Sequence, residues 1–241
     1  MAVKILNIAA FAIMILMNYL ANSLPLGGKT TGELSAQYPN LFVPAGLTFS
    51  IWGIIYLLLL GFCLLQFMAQ NRAMVNAIGW LFAVSCILNA FWIVAWHYEF
   101  PGLSLIIMIL LLATLVMINH RLIPFAGGIT KAAFGIYLGW ICIATIANTT
   151  ALLVSINWQG WGIGEEAWAV IMVLAGAVVT LLVLHNYRNP FTGLVVIWAL
   201  VGIIIARWPG NRAIIIAAAI SILILAVMSV LVTIRRPAAF T

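Results

Sequence analysis

Residues 137–148 read Tyr137-Leu138-Gly139-Trp140-Ile141-Cys142-Ile143-Ala144-Thr145-Ile146-Ala147-Asn148. No charged side chain interrupts this stretch, and none follows until Glu165. A run of roughly 20 apolar residues crosses a bilayer as a helix, so residues 132 to 154 are predicted to span. Tyr137, Trp140, Ala144 and Asn148 recur at i, i+3, i+7 and i+11, which is one face of that helix. The span therefore carries a polar and aromatic stripe on an otherwise apolar rod.

The rest of the chain has the same character. Hydrophobic residues make up 66% of 241 and charged residues 6%, with a mean hydropathy of +1.25. Soluble domains carry roughly a quarter of their residues charged. In hydrocarbon each backbone N–H and C=O must be satisfied within its own segment. The predicted class is an all-α, polytopic membrane helix bundle of about eight transmembrane helices, at roughly 5–22, 46–68, 76–96, 103–119, 132–154, 167–186, 191–207 and 213–234. Pro25-Leu26-Gly27-Gly28, Pro101-Gly102, Pro124 with Gly127-Gly128, Asn189-Pro190 and Pro209-Gly210 separate these runs with turn chemistry. The first run, preceded by Lys4 and followed by Ala21-Asn22-Ser23, has the outline of a secretory leader. It is read here as a retained span.

Charge sets the expected orientation. With the N-terminus inside, Lys4, Arg72, Arg121, Lys131, Arg188, Arg235 and Arg236 share that face, against Lys29, Arg207 and Arg212 on the other. This bias predicts both termini in the cytoplasm of a bacterial plasma membrane. The net charge of +6 is thus a topology signal and not a nucleic-acid footprint. No predicted span holds a carboxylate, lysine or arginine at depth, which argues against a proton relay or ion pathway. No internal repeat points to a transporter built of inverted halves.

Cys63, Cys86 and Cys142 lie within spans without metal-ligand spacing. His97, His120 and His185 each stand singly at a span end, where a polar tip reaches headgroups or water. Of the tryptophans, Trp80, Trp96, Trp158, Trp161, Trp168 and Trp208 fall near predicted interfaces, where such rings belong. Trp52, Trp92, Trp140 and Trp198 lie deeper, and a buried indole N–H requires a partner.

Three spans present candidate site residues. The third carries Ser85, Asn89, Trp92 and Trp96 on one face, the fifth carries Tyr137, Trp140, Ala144 and Asn148, and the second adds Trp52 and Tyr56. At 1.5 Å rise per residue, Trp52, Asn89 and Asn148 lie roughly 9–10 Å below the outer surface, Tyr56 and Ala144 roughly 15–16 Å, and Trp140 about 21 Å. Two readings follow from periodicity: interhelical packing, in which each amide bond contributes about 0.6 kcal/mol, or the wall of a ligand pocket.

These same residues resemble the TspO/translocator family, also called tryptophan-rich sensory proteins or peripheral benzodiazepine receptors. The stretch 137–148 is similar to its Y-x-x-W-x-x-x-A-T-x-x-N signature, Leu88-Asn89-Ala90-Phe91-Trp92 to its L-N-x-x-W stretch, and Pro44, Trp52 and Tyr56 to its P-x7-W-x3-Y spacing. The resemblance covers about residues 1–156, a five-helix core, and leaves residues 157–241 as a three-helix extension. The chain departs from the pattern at Pro44-Ala45-Gly46, at Phe49 and in the lid expected from loop 23–44. Residues 149–159 hold neither Tyr nor a basic residue, so the sterol-recognition stretch of animal members is missing.

The resemblance implies an integral membrane sensor or binding protein for a small planar hydrophobic ligand, most readily a tetrapyrrole such as protoporphyrin or haem, with no required cofactor. Trp52, Tyr56, Asn89, Trp92, Tyr137, Trp140, Ala144 and Asn148 are the implied ligand-binding residues. No catalytic or metal set accompanies them, although the resemblance also implies light-dependent porphyrin breakdown, with Trp52 and Trp140 as electron donors, in some members. The expected partners are the lipid bilayer and the ligand, with a homodimer or a membrane-complex partner as further options. An accessory or scaffold subunit, whose contact surface is the extra helices with Ala213, Ala217 to Ala219 and Ser221, is the alternative from another class. A permease or export component for an apolar compound is the third.

Overall fold

The computed structural model describes residues 1–23, 28–125 and 127–234. The predicted turn at Pro25-Leu26-Gly27 and the basic pair Arg235-Arg236 lie outside the described residues. The described chain is helical, with no strand: α1 (Ala2–Ser23), α2 (Thr31–Ala36), α3 (Ile51–Leu65), α4 (Arg72–Ile78), α5 (Leu81–His97), α6 (Pro101–Arg121), α7 (Ile129–Ser155), α8 (Glu165–Tyr187), α9 (Pro190–Arg207) and α10 (Arg212–Ile234). A 3₁₀ turn, Gly46–Ser50, leads directly into α3.

Among the described residues seven helices are long and apolar enough to cross a membrane, and α4 with α5, bent by 58°, makes an eighth candidate span. The expected third span, 76–96, is corrected accordingly. Residues 76–78 belong to α4, and the helix that follows starts at Leu81. The break falls at Gly79, whose φ of +58° is a left-handed conformation open to glycine. Turn chemistry sets other boundaries as expected. Pro101 and Pro190 occupy the first helical position of α6 and α9, where a missing N–H has no consequence. Asn189 caps α9 by accepting the N–H of Phe191 at 3.3 Å.

The helices alternate in direction, so Thr31, Glu99, Glu165 and Arg207 share one end of the bundle, and Arg72, Arg121 and Asn189 the other. Around the first part of the molecule α5 packs between α1 and α6, α6 packs on α7, and α7 packs on α3. The ring closes only sparsely where α1 meets α3. On its far side α7 packs against α9, which in turn packs with α10 and α8.

Small residues make the α7–α9 approach possible. A Cβ on Gly139 would collide with Val195 and sit 2.6 Å from the carbonyl oxygen of Thr192. Gly202 faces Thr48 in the same way, and its carbonyl accepts the N–H of Ala45 at 3.0 Å. Without a hydrophobic force between helices in lipid, such close backbone contact is what dispersion requires. At the Arg121 end a buried amide knot fastens the seam: Asn189 donates to Asn119 Oδ1 at 3.1 Å and to the carbonyl of Lys131 at 2.8 Å.

Candidate functional site

Trp52 occupies the centre of an aromatic cluster built by α3, α5 and α7. Its ring stacks on Tyr56 at 5.5 Å and on Trp92 at 5.9 Å, and meets Tyr137 at 6.0 Å and Trp140 at 6.1 Å edge-on. Trp92 continues the stack to Trp96 at 6.3 Å, and Phe49 from the 3₁₀ turn meets Trp140 at 5.9 Å. Offset and edge-to-face pairs of this kind each add about 0.5–1.5 kcal/mol beyond burial.

The amides are tied into the protein. Trp92 Nε1 donates to Asn148 Oδ1 at 3.2 Å, and Ser104 Oγ donates to the same oxygen at 2.6 Å. Asn148 Nδ2 donates to the carbonyl of Ala144 at 2.9 Å. Asn89 Nδ2 donates to the hydroxyl of Tyr137 at 3.0 Å, while Asn89 Oδ1 accepts from Asn18 at 2.8 Å. Asn18 on α1 and Ser104 on α6 are thus members of the network that residue patterning did not single out.

Two spaces flank Trp52. A hollow of about 40 Å³ is walled by Trp92, Trp96, Trp140, Ala144 and Asn148, with Thr31 and Ser35 of α2 above it. A cleft of about 330 Å³ opens where α1 and α3 meet sparsely, and is lined by Asn18, Tyr19, Asn22, Gly53 and Tyr56. Trp52, Phe49 and Thr31 border both. Of the eight sequence-derived residues, Trp52, Trp92, Trp140, Ala144 and Asn148 line the hollow and Tyr56 lines the cleft. Asn89 and Tyr137 sit behind them, fully buried and bonded to each other.

Two residues that line the hollow carry a buried donor with no partner in the protein. Trp140 Nε1 is one, on a residue 3% exposed, and Thr31 Oγ1 is the other, on a residue 8% exposed. Two other deep indoles are satisfied: Trp198 Nε1 donates to the carbonyl of Thr48 at 3.0 Å, and Trp92 Nε1 to Asn148. Trp96, read from sequence as interfacial, instead walls the hollow, and its N–H reaches the carbonyl of Thr31 at 3.4 Å.

The lid over the hollow is α2 with its flanks. Thr30 and Glu33 form a reciprocal capping box. The backbone N–H and the hydroxyl of Thr30 hold the Glu33 carboxyl below its ordinary range. Tyr38 packs on Trp96 at 5.7 Å, and partial burial raises its phenol pKa. Lys29 pairs with Glu99 at 3.3 Å, across the rim from the lid to the end of α5. No group of His, Cys, Asp or Glu able to hold a metal occurs among the described residues.

The family model described as TSPO-like protein matches residues 4–231. The chain belongs to the TSPO-like family. The match runs past residue 156 and takes in α8, α9 and most of α10, so family membership extends well beyond the five helices on which the motifs lie. No curated protein and no solved structure matches the chain. Membership and the apolar helices together make this TSPO-like chain an integral membrane protein.

Proposed function

We propose that this TSPO-like protein binds a planar hydrophobic ligand, a tetrapyrrole such as protoporphyrin or haem, beside Trp52 between α1, α3, α5 and α7. One observation carries the reading: Trp140 and Thr31, which both line the hollow, each carry a buried side-chain donor without a protein partner. A buried donor left unmade costs about 1–3 kcal/mol, and an acceptor on a bound guest would recover it. Family membership supports the same class of ligand.

Volume decides how such a ligand would fit. The hollow has room for about one or two waters, far below the roughly 300–1,000 Å³ of a small-molecule site. The neighbouring cleft, at about 330 Å³, is within that range. In this reading the ring lies in the cleft against Trp52 and Tyr56, and rotation of Trp52 joins cleft to hollow so that a polar edge meets Thr31 and Trp140. Asn89 and Asn148 act here as struts that fix the aromatic wall.

The five-helix part, residues 1–156, would hold the ligand, and residues 157–241 would buttress it through α9. The excess of basic residues on the face that holds Arg72 and Arg121 supports a cytoplasmic position for both termini. Titrating protoporphyrin into the purified protein, with tryptophan fluorescence as readout, tests the proposal. Saturable quenching that weakens in Trp140→Phe is expected; absence of saturation would overturn it.

A further inference from the structure

A third cavity lies at the Glu165 end, separate from the aromatic cluster around Trp52. It has a volume of about 240 Å³ and sits between residues 39–42, the end of α7 and the start of α8. Trp158, Trp168 and Phe42 supply aromatic walls, while Leu153, Val154 and Met172 supply an aliphatic floor. Glu165 is its one charged lining residue. That carboxylate has no ion pair among the described residues, where Lys29–Glu99 is the salt bridge formed.

The walls are held in place before anything binds. Trp158 meets Trp168 at 5.0 Å and Trp161 at 5.4 Å, both edge-on. Trp168 Nε1 donates to the carbonyl of Gly160 at 2.9 Å. Across the cavity, Asn40 accepts the N–H groups of Phe42 and Val43 and donates to the carbonyl of Tyr38, which stiffens the opposing loop. Asn157 and Trp161 both keep φ of 53°, a left-handed conformation that non-glycine residues rarely adopt. Such preorganisation lowers the ordering cost of binding.

Glu165 also suits the positive end of the α8 dipole, but that role needs neither a cavity nor indole faces beside it. Indole faces attract cations through the ring quadrupole, and an unpaired carboxylate adds a full charge of the same preference. We infer that this cavity is a binding site for a hydrophobic organic cation, a quaternary ammonium head carrying a short aryl or alkyl arm. The head faces Glu165 and the indoles, and the arm lies on Met172 and Leu153. The volume is below that of drug-sized sites, about 300–1,000 Å³, which suits a compact head. A choline headgroup of the bilayer and a free quaternary amine share this chemistry.

The test uses the full chain in phosphatidylglycerol nanodiscs, titrated with benzyltrimethylammonium while tryptophan fluorescence is followed. Saturable binding is expected, weakened at least about ten-fold in Glu165→Gln, as loss of a close charge partner implies, and unchanged in Trp140→Phe. Glu165 is exposed, so the variant should unfold at the wild-type temperature. Weaker apparent binding in phosphatidylcholine than in phosphatidylethanolamine nanodiscs, whose net charge is the same, assigns the site to the choline headgroup, and equal binding in the two assigns it to a free amine; either supports the inference. It is overturned if no saturable change occurs, if Glu165→Gln binds as wild type, or if the neutral isostere neopentylbenzene binds equally well.

Discussion

The indole N–H of Trp92 on α5 donates to the side-chain oxygen of Asn148 on α7 at 3.2 Å. Two residues that belong to separate motifs of the sequence therefore complete each other, and the oxygen they share also serves Ser104 on α6. One amide thus joins three helices.

Asn148→Ala is expected to destabilise the fold more than an average interhelical hydrogen bond would, because it strands two donors at once. Membrane interhelical bonds contribute about 0.6 kcal/mol on average, whereas each buried donor left unpaired costs about 1–3 kcal/mol. Thermal unfolding in detergent should show the drop, and Ser104→Ala should cost less because Asn148 keeps Trp92.

Trp140→Phe should behave in the opposite way. Its N–H has no partner in the protein, so deleting it breaks no hydrogen bond, and the loss should be confined to the packing given up by a smaller buried ring, about 1–2 kcal/mol. Porphyrin affinity, measured on the same preparation, should fall. A large loss of stability with unchanged affinity would contradict the proposed role.

Trp52→Ala removes the wall common to hollow and cleft. Faster ligand association is expected by stopped-flow fluorescence, together with weaker equilibrium binding from the lost stacking surface. Association at the wild-type rate would mean that Trp52 does not obstruct the path.

Gly139→Ala forces a methyl group into Val195 and the Thr192 backbone. Overpacking of this kind costs about 1–3 kcal/mol. Because backbone is among the atoms met, the loss should appear as a lower unfolding temperature. Gly53→Ala, where nothing lies near the added carbon, is the control and should keep that temperature or raise it, since alanine favours a helix over glycine.

Acid should loosen the lid. The folded state lowers the Glu33 pKa below 4.5, so the carboxylate contributes stability that is complete above that value. The contribution is lost as the pH falls from 4.5 through the lowered folded value. Protection factors of the α2 amides, which correct for the pH dependence of intrinsic exchange, should fall in that window, and in Glu33→Ala they should be low on both sides of it.

Much of the architecture was legible because hydropathy alone defines spans in lipid, and Pro101, Asn189 and Pro190 mark boundaries by local chemistry. Gly79 was not legible as a break: it lies inside an apolar run, and only its left-handed backbone separates α4 from α5. The aromatic members of the site were readable from helical spacing. Asn18 was missed because its run resembled a leader, although its 4-residue offset to Met14, whose carbonyl it also bonds at 2.9 Å, marks an inward face. Thr31 and Ser35 were missed because a six-residue helix offers no periodicity, whereas Trp96 lay on the candidate face of the third span but was assigned to the interface because a tryptophan near a helix end looks like an anchor.

The kink at Gly79 also determines how the protein meets its surrounding lipid. With 17 residues, α5 is about 25 Å long at 1.5 Å per residue, short of the roughly 30 Å of an average bilayer interior. The remainder of that crossing falls to α4, turned by 58°, so acyl chains beside exposed Phe91 meet a rod that changes course near Trp80. Kinking is one way a span accommodates hydrocarbon of different thickness, at fractions of a kcal/mol per ångström, so this crossing should adjust to lipid tail length at its bend.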